Sequence, residues 1–381
     1  MTDPRPATGL RALLRSDLQD EKPYGAPQLT VRAALNTNDN SYPVPPEVVS
    51  DMLAELTTVL PTLNRYPDRE FTDLRGALAA YLSRSGTEIG PDQVWAGNGS
   101  NEVLLHLLQS FGGPGRRAIG FTPSYSMHAI IATTTGTQWT HGRRSQDPAR
   151  LFTLDPESVG AQVADIDPHL VFICSPNNPT GTAVGLDVIE AAYVAAPHAV
   201  VVVDEAYAEF ARRGTPTALS LLAGRERLVV TRTLSKAFAL AGGRLGYLAA
   251  DPELIDLLRL VRMPYHLSAP SQAVARAALR HADTMLSTVD VVKDQRDRIV
   301  VELTEMGYRP VPSDANFVLF GGLADSARTW QALLDQDVLV RDVGIPHYLR
   351  VTAGTPQETS AFLDALAALG DDHRLSDRKA R

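Results

Sequence analysis

The sequence predicts an α/β protein with a largely parallel sheet, followed by a smaller α+β region. Between residues 46 and 270, short Val-rich runs such as 199–203 alternate with helical patterns. This alternation is typical of a parallel sheet that is covered by helices on both faces. Over residues 271–381 helical patterns dominate and strand patterns are few. A chain of 381 residues is long enough for a large and a small domain of this kind.

The predicted elements follow the chain in order. Residues 1–45 are rich in Pro, Asn and Asp and predict an extended arm that belongs with the small domain. Helices are expected over 46–60, where two prolines open the pattern, and over 70–84. Strand–turn–helix units follow at 93–111 and 116–134, and apolar strands are expected within 169–174, 198–204 and 227–250. Later helices are expected over 268–282, 285–306, 324–335 and 356–369, with strands within 313–322 and 347–355.

Composition argues against several classes of protein. The formal net charge of −8 argues against general nucleic-acid binding, which usually needs a basic face. No apolar run approaches the roughly 18–20 residues of a membrane span, and the N-terminal residues lack the apolar segment of a secretory signal. Cys174 is the single cysteine, which excludes an intramolecular disulfide and a cysteine-based zinc site. These observations together predict a cytoplasmic enzyme. We expect no metal ion in it, because no HExxH or comparable cluster occurs among the 9 histidines.

Candidate ligand-binding residues follow the predicted strands, because ligands of open parallel sheets bind beyond the carboxyl ends of the strands. Gly99, Ser100 and Asn101 come after one strand, at the start of a helix. Small residues at a helix N-terminus suit a phosphate group, although the same residues also form a plain N-cap. Asn178 follows another strand within the turn SPNNPTG, where it either shapes the turn or presents its amide to a ligand.

Two charged residues complete this pattern. Asp204 ends an apolar strand, where a carboxylate is unfavourable unless a cation or a protonated ring nitrogen pairs with it. Lys236 lies in a polar turn after a strand, where it is either solvated or a candidate Schiff-base nucleophile. Thr233, Ser235 and Arg244 offer hydroxyl groups and a guanidinium to a dianionic phosphate. Together these groups match the needs of pyridoxal 5′-phosphate: an amine, a phosphate site, a carboxylate for the ring nitrogen and a donor for the ring oxygen.

Motifs along nearly the whole chain resemble those of the fold-type I aminotransferases, and most closely those of the histidinol-phosphate aminotransferase subfamily. SPNNPTG, DEAY and TLSKAF are typical of the superfamily at these spacings, whereas PYGAP, PSYSMH and SDANFVLF are more specific to the subfamily. The other segments that carry the resemblance are LNTNDNSY, NRYPD, GNGSNEVL, AGGRLGY, PYHLSAPSQ, VRDVGIP and LRVTAGT. The resemblance implies a large cofactor-binding domain with a mostly parallel seven-stranded sheet over 46–270, and a small C-terminal domain over 271–381.

The resemblance also implies cofactor contacts for individual residues. Lys236 would hold pyridoxal phosphate as a Schiff base and would move the proton between the substrate Cα and the cofactor. Asp204 would pair with the ring nitrogen, and Tyr125 would stack on the ring face. Asn178 and Tyr207 would donate hydrogen bonds to the ring oxygen. The implied phosphate contacts are Ser100, Asn101, Thr233, Ser235 and Arg244.

Further implied contacts concern the substrate and a second subunit. Arg350 matches the arginine that binds the α-carboxylate of glutamate, a task that suits a planar guanidinium. Arg341 and Tyr24 would contact the phosphate end of histidinol phosphate. Tyr66 would reach the phosphate of the neighbouring subunit's cofactor, which implies a homodimer with shared active sites. The remaining implied substrate contacts are Asn38 and Asn316.

The reaction that the resemblance implies is amino-group transfer from L-histidinol phosphate to 2-oxoglutarate, which gives imidazole-acetol phosphate and glutamate. The alternatives are an aromatic amino-acid aminotransferase on the same scaffold, a pyridoxal-phosphate lyase and a non-catalytic ligand sensor. The sequence departs from the family in two places. The arm has Asn38-Asp39-Asn40-Ser41 where N-E-N-P is usual, and His347 precedes Arg350 where a small residue is common. We expect these departures to affect the arm and the acceptor specificity.

Overall fold

A computed structural model describes residues 9–19, 23 and 25–375 of the chain. Its strands are β1 (Ala33–Ala34), β2 (Val94–Gly97), β3 (Arg117–Thr122), β4 (Gln138–Arg143), β5 (Leu170–Cys174), β6 (Val200–Asp204), β7 (Leu228–Thr233), β8 (Gly246–Ala249), β9 (Arg309–Pro310), β10 (Phe317–Gly321), β11 (Val338–Leu339) and β12 (Leu349–Thr352). Its α-helices are α1 (Pro46–Val59), α2 (Thr72–Ser83), α3 (Ser100–Phe111), α4 (Ser126–Thr134), α5 (Pro156–Ile166), α6 (Leu186–Ala195), α7 (Pro252–Leu258), α8 (Ala269–Arg280), α9 (Ala282–Met285), α10 (Val289–Glu305), α11 (Ser326–Leu334) and α12 (Pro356–Ala368).

Seven strands form the main sheet, in the order β2-β8-β7-β6-β5-β3-β4. All neighbours are parallel except β8, which runs antiparallel to both β2 and β7. The β5, β6 and β7 side chains are buried along the whole of each strand, as expected for strands covered on both faces. The predicted α/β class and the mostly parallel seven-stranded sheet are therefore confirmed.

Two smaller sheets lie outside the main one. A three-stranded antiparallel sheet has the order β12-β10-β9, and β1 of the N-terminal arm pairs in parallel with β11. The arm is therefore tied to the C-terminal third of the chain, which supplies the second strand of this two-stranded sheet. Within the described residues, no helix is both long and apolar enough to span a membrane.

The hydrophobic core divides into two large clusters of buried side chains. The first surrounds the main sheet and includes side chains of α8 and α9 as far as Met285. The second contains Phe317, Phe320 and Phe362 from β10 and α12. Tyr207 and Ala237, which follow strands of the main sheet, pack in the second cluster. The predicted domain limit at residue 270 stays a prediction. Helix α8, which begins next to this limit at Ala269, packs against α1 and α2.

The sequence pattern missed some elements and misplaced one helix start. The polar segment that forms β4 gives no apolar run, because β4 is the last strand of the sheet and most of its side chains are not buried. The helix expected over 285–306 is α10, which begins only at Val289. The two-residue strands β1, β9 and β11 are too short to produce a periodic pattern.

Candidate active site

A cavity lies at the carboxyl ends of the central strands, as the topology of an open parallel sheet requires. It contains about 810 Å³ of space between protein atoms, part of it open to solvent. The predicted site residues that line it are Asn38, Ser100, Asn101, Tyr125, Asn178, Asp204, Tyr207, Thr233, Ser235, Lys236, Arg244, Arg341 and Arg350. The sequence analysis had not singled out four other lining residues, Ala26, Asn36, Thr37 and Ala206.

Lys236 lies in the turn after β7 and reaches towards the N-terminal arm. Its Nζ donates a hydrogen bond of 3.0 Å to the carbonyl oxygen of Thr37, and lies 3.9 Å from Oδ1 of Asp39. The pKa of Lys236 is lowered to about 8: burial is the main cause, the guanidinium groups of Arg350 and Arg244 act in the same direction, and Asp39 opposes them. An amine with this pKa is partly neutral near physiological pH, as a nucleophile or a proton acceptor must be.

Asp204 ends β6 with a buried carboxylate, and both of its oxygens have partners in the protein. Its Oδ2 lies 3.0 Å from Nε2 of His128, and its Oδ1 accepts hydrogen bonds of 3.3 Å from Thr231 Oγ1 and from the backbone N–H of Ala206. His128 is 1% exposed and stacks on Phe172 at 5.0 Å between ring centroids. A buried carboxylate with this support keeps a defined orientation.

The motif PSYSMH contains His128, to which the sequence analysis assigns no role. The signal that would have found it is its spacing from Tyr125. The two residues lie three positions apart at the start of α4, and their rings meet edge to face at 5.4 Å. One helical turn therefore presents both rings on one side.

A network of amides and a guanidinium joins Tyr207, Asn178 and Arg350. Tyr207 Oη accepts a hydrogen bond of 2.9 Å from Asn38 Nδ2 and one of 3.5 Å from Asn178 Nδ2. Arg350 donates to Asn178 Oδ1 at 2.6 Å and to the carbonyl oxygen of Asn36 at 2.7 Å. Burial raises the pKa of the Tyr207 phenol well above its usual range, so this hydroxyl stays protonated.

The opposite end of the cavity is suited to an anion. Helix α3 begins after Gly99 and has no side-chain cap. Its first residues, Ser100 and Asn101, line the cavity, and no capping side chain competes with an anion for the N–H groups of this first turn. Gly99 has a φ of +84°, and a Cβ at this position would collide with the Arg244 guanidinium. The glycine therefore lets this guanidinium approach the helix N-terminus closely. Thr233, whose hydroxyl accepts a hydrogen bond from the backbone N–H of Ser235, lies at the same cavity.

Two predicted site residues that the structure describes, Tyr66 and Asn316, do not line this cavity. Tyr66 is 79% exposed and stacks on Tyr265 with 4.4 Å between ring centroids. Asn316 is buried, and its Nδ2 donates to the carbonyl oxygen of Asn38 at 3.1 Å. Tyr24 lies outside the described residues.

The His347 departure is also placed outside the cavity lining. Its Nδ1 lies 2.8 Å from the carbonyl oxygen of Leu323. Cys174, by contrast, is among the lining residues, and burial raises the pKa of its thiol well above its usual range. The thiol therefore stays protonated, and Cys174 is a buried strand residue and not a nucleophile.

Comparisons with known proteins agree with this arrangement. The family model described as "Aminotransferase class I and II" matches residues 33–366. The chain belongs to the class I and II aminotransferase family. It is a transaminase, and the alternative of a non-catalytic sensor is set aside.

Relatives within the family carry a narrower name. A histidinol-phosphate aminotransferase of Paenarthrobacter aurescens is 56% identical over 363 residues, which cover 95% of this chain and 96% of the relative. One of Nocardia farcinica is 52% identical and covers 99% of this chain and 97% of the relative.

Solved structures share the fold. The histidinol-phosphate aminotransferase of Sinorhizobium meliloti in complex with pyridoxal 5′-phosphate has a TM-score of 0.77 at 24% identity, with 89% of this chain and 92% of that chain covered. A mutant aspartate aminotransferase of Thermus thermophilus has a TM-score of 0.78 at 22% identity, with 93% and 99% covered.

Proposed function

We propose that this transaminase transfers the amino group of L-histidinol phosphate to 2-oxoglutarate with pyridoxal 5′-phosphate as cofactor, a step of histidine biosynthesis. The observation that carries the proposal is one cavity that unites the amine of Lys236, the carboxylate of Asp204 and an uncapped helix N-terminus with the guanidinium groups of Arg350 and Arg341. The high identity to histidinol-phosphate aminotransferases over nearly the whole chain supports the same donor.

The residues present fit the cofactor. The N-terminus of α3 and Arg244 offer N–H donors and positive charge to a phosphate group. The buried carboxylate of Asp204 lines the cavity, where a protonated ring nitrogen would be a suitable cationic partner for it. Tyr207 is a protonated hydroxyl at the same cavity and suits a ring oxygen. Lys236 Nζ has the lowered pKa that a covalent amine anchor needs.

Bound in this cavity, pyridoxal phosphate supplies a ring that withdraws electrons from the substrate Cα and so makes its proton acidic. Lys236 would act as the base that takes this proton from the substrate Cα, and its protonated amine would then give the proton to the cofactor carbon on the other side of the transferred nitrogen. Asp204 holds the proton on the ring nitrogen, and His128 keeps the carboxylate aligned with it. Tyr125 lies at the cavity wall with its hydroxyl donating to Asn101 Oδ1 at 3.1 Å, which fixes its ring beside the phosphate end.

The other side of the cavity is proposed to bind the substrates. Arg350 is buried against Asn178, and its planar guanidinium suits the carboxylate of glutamate. Two backbone hydrogen bonds of 2.9 Å join Arg341 and Arg350, so the two arginine side chains are attached to directly neighbouring backbone positions. Histidinol phosphate lacks the α-carboxylate and carries a phosphate instead, for which Arg341 is the proposed partner.

We also propose a homodimer in which Tyr66 reaches the partner subunit's phosphate site. Tyr66 and Tyr265 form a stacked pair that is largely exposed in the single chain. Apolar side chains around the same segments are exposed as well: Leu60, Leu63, Leu260 and Met263. A second copy of the chain would cover such a patch. The cytoplasmic location stays a prediction.

The first experiment measures the half-reaction with single amino donors. The protein is loaded with pyridoxal phosphate, and the change of its visible absorbance is followed after addition of histidinol phosphate, phenylalanine, tyrosine or glutamate. We expect kcat/KM for histidinol phosphate to exceed that for phenylalanine by about 100-fold or more, because a phosphate contact through Arg341 adds a charged hydrogen bond that phenylalanine lacks. A preference for phenylalanine or tyrosine would contradict the proposal and favour the aromatic aminotransferase. A visible band without transfer to 2-oxoglutarate would favour a lyase.

A further inference from the structure

Asn38, in the N-terminal arm, has an unusual conformation and a fully used set of polar groups. Its φ is 57°, in the left-handed region that asparagine tolerates better than most residues, and it is 1% exposed. Its backbone carbonyl oxygen accepts a hydrogen bond from Asn316. Its backbone N–H and its side-chain Oδ1 both meet the hydroxyl of Thr352 at 3.1 Å. Its Nδ2 donates to Tyr207 Oη at 2.9 Å.

The Thr352 hydroxyl determines which way the Asn38 amide faces. A hydroxyl has one proton to donate. Since the Thr352 oxygen accepts the backbone N–H of Asn38, its own proton is available for the side chain of Asn38. Among the described residues, no other acceptor lies within hydrogen-bond distance of the Thr352 hydroxyl, so Oδ1 of Asn38 receives this proton. The atom of the amide that faces Tyr207 is then the N–H donor, Nδ2. The side-chain orientation thus follows from the bonding around it.

The same reasoning fixes the role of the Tyr207 hydroxyl. Asn178 Oδ1 accepts from Arg350, so the Asn178 amide also turns its Nδ2 towards Tyr207, at 3.5 Å. The phenolic oxygen therefore accepts from two amide N–H groups, and neither amide can take its proton. The one proton of the Tyr207 hydroxyl is left for a ligand in the cavity that this side chain lines.

We propose that Asn38 is a positioning residue that makes Tyr207 a hydrogen-bond donor to the cofactor. The proposal rests on the proposed function, because it takes pyridoxal phosphate as the occupant of the cavity. It also gives Asn38 a different role from the substrate contact that the family resemblance implies. The directed chain of hydrogen bonds runs from the Asn38 backbone N–H through Thr352 and the Asn38 amide to Tyr207 and into the cavity.

The variant Asn38→Asp reverses the last protein hydrogen bond of this chain while keeping the shape of the side chain. A carboxylate has no N–H group, so its oxygen would accept the Tyr207 proton and take it away from the cofactor. A donor to the ring oxygen stabilises its ionised form. The visible absorbance of the protein with bound pyridoxal phosphate changes with pH, and the midpoint of this titration depends on how well the ionised ring oxygen is stabilised. In Asn38→Asp we therefore expect this midpoint to rise by about one to two pH units.

A double-mutant cycle separates this effect from the added negative charge. The charged groups nearest to Tyr207, Asp204 and Arg350, are the same in all four proteins of the cycle. In the Tyr207→Phe background there is no phenolic proton to redirect, so Asn38→Asp should move the midpoint only by its charge. Equal shifts in the two backgrounds, or no shift in either, would overturn the proposal.

A second pair of variants tests the orienting hydroxyl and remains useful if Asn38→Asp does not fold. Thr352→Val removes the hydroxyl with little change of volume, whereas Thr352→Ser keeps it. We expect a raised midpoint for Thr352→Val and an unchanged midpoint for Thr352→Ser, and the same midpoint in both would contradict the proposal. If the unmodified protein forms no visible cofactor band, the proposed function fails, and this result is distinct from a failure of the Asn38 proposal.

Discussion

The two sides of the cavity are built in different ways. On the cofactor side, Asp204 and Lys236 follow neighbouring parallel strands, and the register of β6 with β7 pairs Asp204 with Thr231. On the substrate side, Arg350 and Arg341 come from strand β12 and the loop before it, and Arg341 donates long hydrogen bonds of 3.4 and 3.5 Å to the carbonyl oxygen of Gly25 in the arm. The first side is held by the sheet, whereas the second depends on segments that are distant in sequence.

This difference separates chemistry from recognition. Groups anchored at strand ends keep fixed positions, which proton transfer requires. On the substrate side, Arg350 is the proposed partner of a carboxylate and Arg341 that of a phosphate, so each contact serves one substrate. Substitutions on the cofactor side should therefore lower kcat with every substrate, whereas substitutions on the substrate side should raise KM selectively.

The largest effect is expected for Lys236→Ala. Without the amine there is neither a covalent anchor nor a base at the substrate Cα, and transamination should fall by at least about 10⁴-fold with all donors. Lys293→Ala is the matched control, because Lys293 lies on α10 and not at the cavity. Steady-state assays with histidinol phosphate and glutamate measure the effect. Turnover close to that of the control would remove Lys236 from the mechanism.

Asp204→Asn should lower kcat by about 10²–10³-fold, because a neutral amide does not hold the proton on the ring nitrogen. The shape of the side chain is kept, so thermal unfolding should change little. His128→Asn, which keeps a polar side chain beside Asp204, should lower kcat less. A His128 variant as impaired as Asp204→Asn would mean that the imidazole does more than align the carboxylate.

Arg350→Lys and Arg341→Gln should separate the two substrates. Loss of the planar guanidinium in Arg350→Lys should raise KM for glutamate and 2-oxoglutarate by about 10–100-fold, with a smaller effect on histidinol phosphate. Arg341→Gln should raise KM for histidinol phosphate and leave that for unphosphorylated histidinol unchanged. Equal losses for both substrates in either variant would break the distinction between the two sides.

The smallest effect concerns Asp39, where the arm meets Lys236. The neutral amine is the form that reacts with pyridoxal phosphate, and the pKa of Lys236 is lowered to about 8 mainly by burial. The rate of cofactor uptake by the cofactor-free protein should therefore rise with pH and be half-maximal near pH 8. Asp39→Asn removes a carboxylate that raises this pKa, so the midpoint should move to lower pH. Asp39→Glu should keep the original midpoint, and an upward shift in Asp39→Asn would contradict the assigned sign.

The sequence predicted the cofactor side better than the substrate side. Asp204, Asn178 and Lys236 could be found because each follows an apolar strand, and parallel strands bring their carboxyl ends to one edge whatever the other contacts are. Arg350 and Arg341 were found only through the family resemblance, because nothing in their local pattern marks them as ligand-binding. The contact of His128 with Asp204 spans 76 positions, so the sequence offers only an indirect signal for it, the spacing of His128 from Tyr125.

The sequence by itself determined the α/β class, the parallel core strands and the chemistry that follows them, because these depend on short runs of apolar residues and on the residue after each run. Only the tertiary structure decided the direction of the hydrogen bonds around Tyr207. The bond between Asn38 and Tyr207 joins residues 169 positions apart, and that between Asn38 and Thr352 joins residues 314 positions apart. Whether an asparagine turns its oxygen or its NH₂ group towards a neighbour depends on such distant partners, since the two groups have nearly the same shape.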